Sequence, residues 1–221
     1  MISIIIPVLN EASTISTLLN DIAEKASLQN ISEIIMVDGG STDATLDLAF
    51  QFSEKLPLVI LKSDKGRAKQ MNLGAGNATG EILYFLHADT VLPYHFDSQI
   101  IYEIRKGNLA GCFRMKFDSQ HPILKMSQWF TRFNFKSCRG GDQTLFITSE
   151  LFRKLKGFNE AYTVYEDCEF INRIYDQFHF TIIKDYVTTS ARRYQNNGTI
   201  KWFGATPNSL SRYYYKNIIS H

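Results

Sequence analysis

The chain has 221 residues, 44% of them hydrophobic and 21% charged, with a formal net charge of +2. That is enough apolar material for a core that needs no disulfide or structural metal, and too little charge for a nucleic-acid-binding surface. The three cysteines, Cys112, Cys138 and Cys168, stand far apart with no C-x-x-C pair, which indicates neither a zinc ribbon nor a disulfide framework and favours each as a small buried hydrophobe over a nucleophile.

The first stretch, Ile2–Val8, is a nearly continuous β-branched run, as expected of a strand covered on both faces. No basic segment precedes it and Glu11 follows closely, so it reads as a strand rather than a signal peptide. Ile15, Leu18, Leu19, Ile22, Ala23 and Ala26 then recur at helical spacing. Glu33–Val37 is a second buried strand, and Ser41 or Thr42 is placed to cap the helix after DGGSTD. Leu58–Leu61 is a third strand, Gly66–Ala78 a helix with Ala68, Met71, Ala75 and Ala78 on one face, and Glu81–Leu86 a fourth strand. The glycines of GAGNATG miss the G-x-G-x-x-G spacing and precede a strand, so they read as the end of that helix.

Beyond residue 90 the alternation loosens. Leu109–Phe117 reads as a strand, followed by the aromatic-rich HPILKMSQWFTRFNF. Thr144–Ile147 is a short strand, Ser149 can cap a helix to Leu155, a further helix begins near Glu166, and Phe180–Thr189 is a strand. The last thirty residues read as a loop and a terminal helix. No run of about 18 apolar residues occurs, so no segment is expected to span a bilayer. The expectation is one cytoplasmic domain, 1–221, with a nucleotide-binding half to residue 90 and an acceptor-binding half from 91 to 221. Peripheral contact with the inner face of a membrane is left open.

Strand–helix repetition implies a mostly parallel sheet with helices on both faces, and such sheets bind ligands at the carboxyl ends of their strands. Polar residues gather there: Asn10 and Glu11, then Asp38, then Asp64, then His87 and Asp89. Each cluster has a bland alternative. Asp38 could bond a base or ribose, or VDGGSTD could be only a turn. Arg67 in KGRAKQMN suits a diphosphate, whose oxygens its guanidinium grips in a fork; an exposed basic helix face explains it equally. Glu166 and Asp167 in VYEDCEF offer a catalytic base, or simply carboxylates favoured by a helix N-terminus. Asp89 is a candidate ligand for a hard cation. His87, two positions earlier, could join it or be hydrogen-bonded structure.

Taken in order, PVLNE, VDGGSTD, KGRAKQMNLGAGNATGE, FLHADT, GGDQTLF, GFNE and YEDCEF resemble the motifs of the family 2 glycosyltransferases over roughly residues 2 to 175. The chain looks most like a short, single-domain subgroup carrying LHADT. The resemblance implies a GT-A fold: an α/β domain with a mostly parallel twisted central sheet, helices on both faces and a smaller acceptor-side half. It implies a nucleotide-diphosphate sugar donor, UDP-linked first, and a divalent metal, Mn²⁺ or Mg²⁺. On that basis Pro7 and Glu11 would line the nucleoside pocket, Asp38 would contact the base, and Arg67 would lie near base or diphosphate. The loop Gly140–Gln143, with its carboxylate Asp142, would lie beside the donor sugar or acceptor. Asp89 matches the last carboxylate of the family's D-x-D motif, the metal-holding one, and Asp167, beside Glu166, matches the general base of inverting members. The chain departs from D-x-D at its first position, which is His87, and it lacks Q-x-x-R-W, against a processive synthase. Arg192 and Arg193 are further candidates for the diphosphate.

The acceptor, whether lipid, glycan or small molecule, is not legible. Two rivals remain beside transfer: a non-catalytic nucleotide-sugar binder, and a sugar nucleotidyltransferase. The second would need a glycine-rich basic loop after strand one, where this chain has PVLNEAST. A scaffold reading has only the aromatic segment Trp129–Phe135 behind it.

Overall fold

The computed structural model describes residues 1–136, 139, 143–162 and 165–191. Its elements in chain order are β1 (Ile2–Val8), α1 (Ile15–Lys25), β2 (Ile31–Asp38), α2 (Thr45–Phe50), β3 (Leu58–Lys62), α3 (Arg67–Asn77), β4 (Ile82–Phe85) and β5 (Thr90–Val91). They continue with α4 (Phe96–Arg105), β6 (Ala110–Phe117), α5 (Pro122–Phe130), β7 (Leu145–Thr148), α6 (Ser149–Lys154), α7 (Glu166–Gln177) and β8 (Thr181–Thr189). The strands form one sheet in the order β3-β2-β1-β4-β7-β6-β8-β5.

The β3-β2-β1-β4 run is parallel throughout. β7 then pairs antiparallel with β4 and with β6, and β8 runs parallel to β6. This is a mixed α/β, GT-A-type sheet, mostly parallel and covered by helices. The chain leaves β1 first to one side and later to the other, so the cleft opens where β1 and β4 lie side by side. That is the switch point at which such sheets take ligands.

Alternation in β1 shows how the two faces are filled. Ile2, Ile4, Ile6 and Val8 join one buried cluster with Ile15, Leu18, Leu19 and Ile22 of α1 and Phe96 and Ile100 of α4. Ile5 faces the other way, among Ala68 and Met71 of α3, Leu151 of α6 and Phe170, Ile171 and Ile174 of α7. Each large aliphatic side chain sealed this way is worth about 1.5–3 kcal/mol. Both clusters draw on residues before and after position 90.

Several local expectations change. Neither Ser41 nor Thr42 caps α2, which begins only at Thr45 and has no side-chain cap at Ala44; both hydroxyl residues are taken up by the loop after β1, as described below. Thr148 rather than Ser149 caps α6, its Oγ1 accepting the Leu151 N–H. The glycines of GAGNATG do not all end α3, since Gly74 and Gly76 lie inside it. A Cβ on Gly74 would sit 2.6 Å from Ile5 Cγ2, so close approach of helix to strand explains that glycine. Helix α4 and helix α5, within the aromatic-rich stretch, were absent from the sequence reading. The expected terminal helix, Asp142, Arg192, Arg193 and Cys138 lie outside the described residues. No helix among the described residues is long and apolar enough to cross a membrane.

Candidate active site

Two strand-end loops are stitched into one wall. The Asn10 backbone N–H donates to Ser41 Oγ at 3.0 Å, and the Thr42 N–H returns a bond to Asn10 Oδ1 at 2.8 Å. The Glu11 N–H donates to Thr45 Oγ1 and the Ala12 N–H to Asp43 Oδ2. Ser41 and Thr42 are therefore cross-links between loops rather than helix caps. Asn10 itself is left-handed, with φ 56°, a conformation asparagine tolerates better than most residues.

Asp38 ends β2 and is 4% exposed, its Oδ1 accepting the Ser41 N–H at 2.9 Å. Pro7 pairs with Val37 in the sheet, one position before the Val8–Asp38 pair. Glu11 Oε2 accepts from Thr14 Oγ1 at 2.9 Å, which turns its carboxylate along the same loop. Three of the expected nucleoside-side residues thus share the carboxyl end of β1 and β2.

A residue that sequence reasoning missed holds that end in place. Gln70 of α3 is buried, and its Nε2 donates to the carbonyls of both Val8 and Val37 at 2.8 Å. Without it, two buried carbonyls at adjacent strand ends would lose a donor. The available signal was a polar residue beside Met71 on a helix otherwise read for its apolar face.

The first turns of two helices meet at the other side of the cleft. Arg67 opens α3 after Gly66, whose φ of 144° lies in the region reserved for glycine. Glu166 and Asp167 open α7 after Tyr165, a left-handed residue with φ 67° and ψ 17°. A bulky residue held there costs roughly 1–3 kcal/mol and tends to occur where a site requires it. Arg67 Nη2 donates to Asp167 Oδ2 at 2.6 Å, and Arg67 Nε lies 3.1 Å from Glu166 Oε1. Glu166 is 1% exposed and neither of its oxygens makes an aligned hydrogen bond among the described residues. It is therefore held by charge rather than by directed bonds. A guanidinium between adjacent carboxylates offsets their mutual repulsion and fixes the rotamer of each.

His87, from the loop after β4, joins this group. Arg67 Nη2 lies 3.2 Å from its Nδ1 and 3.0 Å from its Nε2. Only the unprotonated nitrogen of a neutral ring can accept from a guanidinium. His87 thus faces a cation, which disfavours a second positive ion on the same ring edge.

Asp89 faces a different lining, a cleft of about 280 Å³ with Ser13, Thr14, Thr17, Asp118 and Ser190. Among the described residues, no group of three or more His, Cys, Asp or Glu side chains is placed to hold a metal by itself. The donor chemistry of Asp89 fits a different kind of site, in which one or two carboxylates hold a hard cation and substrate phosphates complete its shell.

A buried network backs the far wall. Arg139 is 6% exposed; its Nη1 lies 3.0 Å from Gln143 Oε1 and 3.2 Å from Cys112 Sγ, and its Nη2 donates to the Thr131 carbonyl at 2.8 Å. Cys112 is fully buried, and burial pushes its thiol above the ordinary value. It is a packing residue, not a nucleophile.

Comparisons with known proteins bear on the family and the fold. The model of "Glycosyl transferase family 2" matches residues 3–180. A "PGL/p-HBAD biosynthesis glycosyltransferase" of Mycobacterium bovis is 44% identical over 95 residues, covering 42% of this chain and 36% of that protein. "Glycosyltransferase AglE" of Haloferax volcanii is 36% identical over 91 residues, covering 40% and 30%. The match therefore spans about a third of these curated relatives. Among solved structures, S. aureus TarS 1–349 in complex with UDP superposes with a TM-score of 0.72 at 19% identity, covering 88% of this chain and 62% of that one. The mannosyltransferase PcManGT from Pyrobaculum calidifontis, in complex with GDP-Man and Mn²⁺, has a TM-score of 0.68 at 20% identity, covering 85% and 56%. At such identities the likeness is one of fold.

Proposed function

The chain belongs to glycosyl transferase family 2, and on that premise we propose that it moves a sugar from a UDP-linked donor onto an acceptor hydroxyl by single displacement with inversion. The observation that carries this reading is the ion-paired Glu166–Asp167 couple, anchored by Arg67 at the strand ends of the cleft. Asp167 takes the proton from the acceptor hydroxyl as that oxygen bonds to the anomeric carbon. The bond from that carbon to the β-phosphate oxygen breaks, and the nucleoside diphosphate leaves with its electron pair. Arg67 aims the carboxylate, and Glu166, buried behind it, holds Arg67.

At the donor end, Pro7, Glu11 and Asp38 border the nucleoside, while Asn10, Ser41 and Thr42 keep the two loops at a fixed spacing. Asp89, with the donor's phosphates, would hold Mn²⁺ or Mg²⁺, which when bound supplies Lewis-acid neutralisation of the leaving diphosphate. His87 supports Arg67 in this reading and ligates nothing. Asp142 and the Arg192–Arg193 pair lie outside the described residues.

The test is a thermal-shift panel of UDP-, GDP- and dTDP-sugars, each with and without Mn²⁺. A ligand that binds only the native state raises the transition by mass action. The expected result is a rise for UDP-sugars that Mn²⁺ enlarges, with the enlargement gone in Asp89→Ala. A rise with another nucleotide alone would replace UDP. A Mn²⁺ effect surviving in Asp89→Ala would remove Asp89 from the metal site.

A further inference from the structure

Helix α5 and the turn after it carry exposed rings from three successive turns of chain. Trp129 packs against Phe130 at 5.4 Å and against Phe133 at 4.8 Å between ring centroids, and Phe133 lies 6.4 Å from Phe135. With Met126 they form a patch whose members range from 37% exposed at Phe133 to 64% at Phe135. Contiguous apolar surface of this kind marks an interaction site.

The patch is held firmly from behind. Leu124 is buried in the core, Gln128 Oε1 accepts the Phe117 N–H at 3.1 Å, and Thr131 Oγ1 accepts the Met115 N–H at 3.2 Å. The face turned to β6 is thus polar-bonded and sealed, and the rings are left pointing away from it.

Charge identifies the occupant. From Ser119 to Gly141 the sequence has Lys125, Arg132, Lys136 and Arg139 and no acidic residue. Arg139 is buried, whereas Lys125, Arg132 and Lys136 are exposed; Lys136 pairs with Asp176. Lys116 lies 4.1 Å above the ring of Tyr186 and the Arg114 guanidinium 5.8 Å from its centre, which extends the basic rim beyond α5. Tryptophan and phenylalanine beside lysine and arginine, on a short helix packed by one face, have the make-up of a segment lying at a bilayer interface. Anionic headgroups complement the basic rim, and each basic residue near such a surface strengthens binding severalfold.

We propose that the face formed by Met126, Trp129, Phe130, Phe133 and Phe135, with its rim of Lys125 and Arg132, docks on an anionic lipid bilayer. Docking holds whether or not Asp167 is the base, because its test reads binding and not transfer.

The experiment is sedimentation of the full chain with phosphatidylcholine vesicles, with and without phosphatidylglycerol. Emission is followed in a Trp202→Phe background, where Trp129 is the remaining one of two tryptophans. The expected result is binding to the anionic vesicles only, weakened by salt, with a blue shift of Trp129. Trp129→Ala/Phe133→Ala and Lys125→Glu/Arg132→Glu should each weaken it about tenfold or more, with an unchanged unfolding transition. Phe135→Ser, the most exposed ring, serves should the double variant fail to fold. No vesicle binding, or binding unchanged in these variants, overturns the proposal. So does a Trp129 already shielded from acrylamide before lipid is added, or a dimer that Trp129→Ala/Phe133→Ala dissociates, since protein then covers the patch.

Discussion

Arg67 Nη2 donates to Asp167 Oδ2 across 2.6 Å although the residues stand 100 positions apart. The bond joins the first turn of α3 to the first turn of α7. It also places a cation at a helix N-terminus, where the dipole opposes it, and the two carboxylates offset that cost.

Arg67→Met should therefore cost stability. It leaves Glu166 sealed beside Asp167 with the cation between them gone. Breaking a fully buried pair costs about 3–5 kcal/mol. The Arg67 side chain is 25% exposed, so solvent screening reduces the expected loss to roughly 2 kcal/mol. Urea unfolding of Arg67→Met against Arg67→Met/Glu166→Gln/Asp167→Asn checks this, and the triple variant should recover most of the loss. An unchanged midpoint in the single variant would show that the couple does not depend on its cation.

Asp167→Asn keeps the side-chain shape and removes the proton acceptor. Turnover should fall about 10²–10⁴-fold while the donor concentration for half-maximal rate stays within a few-fold. Steady-state kinetics with donor varied at saturating acceptor separates the two. A variant that transfers at near-normal rate rules Asp167 out as the base.

Gln70→Leu tests the support behind the nucleoside end. Two buried carbonyls, of Val8 and Val37, lose their shared donor, at about 1–3 kcal/mol in unfolding free energy. Nucleotide affinity, measured calorimetrically, should drop as well, because the strand ends bearing Pro7 and Asp38 are no longer tied to α3. Stability lost with affinity intact would make Gln70 a fold residue alone.

Glu33 gives a pH signature. Burial works upward on its carboxyl, but hydrogen bonds from Ser3 and Thr79 outweigh it and hold the folded value below the ordinary 4.5. A lowered folded value means the contribution is fully present above 4.5 and lost as pH falls through the folded value. Glu33→Gln should thus be less stable at neutral pH by roughly 0.5–1.5 kcal/mol. That gap should close as the medium is acidified past the ordinary carboxylate range. Thermal unfolding across pH measures it, and a constant gap would refute the assignment.

The parallel half was readable because its strands are buried on both faces and so appear as unbroken β-branched runs, with polar residues where each run stops. Beyond residue 90 the same logic still found β6, β7, α6, α7 and β8, but it missed α4 and α5. Phe96, Ile100, Ile101 and Ile104 do recur at helical spacing in α4, but no flanking strand–helix rhythm drew attention to them. In α5 the apolar residues do recur at helical spacing, but Met126, Trp129 and Phe130 stay exposed while Leu124 turns in, so the apolar stripe does not mark the buried face. Ser41 and Thr42 were misassigned for a related reason. A hydroxyl before a helix is a local signal, and Asn10, thirty-one and thirty-two positions away, competed for it and won, its N–H donating to Ser41 Oγ and its Oδ1 accepting from Thr42 Oγ1.

Whereas the roles of Arg67 and Asp167 came from the family resemblance, residue types and their order along the chain were enough to specify an α/β sheet, its strand ends and the polar residues Asp38, His87 and Asp89 gathered there. Those features depend on burial periodicity and on where an apolar run must stop, which are local properties. Partnership is not local. Arg67 bonding Asp167 and His87, Gln70 bridging Val8 and Val37, and the rings of α5 left outside while Leu124 turned in were decided by which elements the sheet order brought together. A side chain's charge is written in the sequence, but the distance over which that charge acts is set by the packed structure.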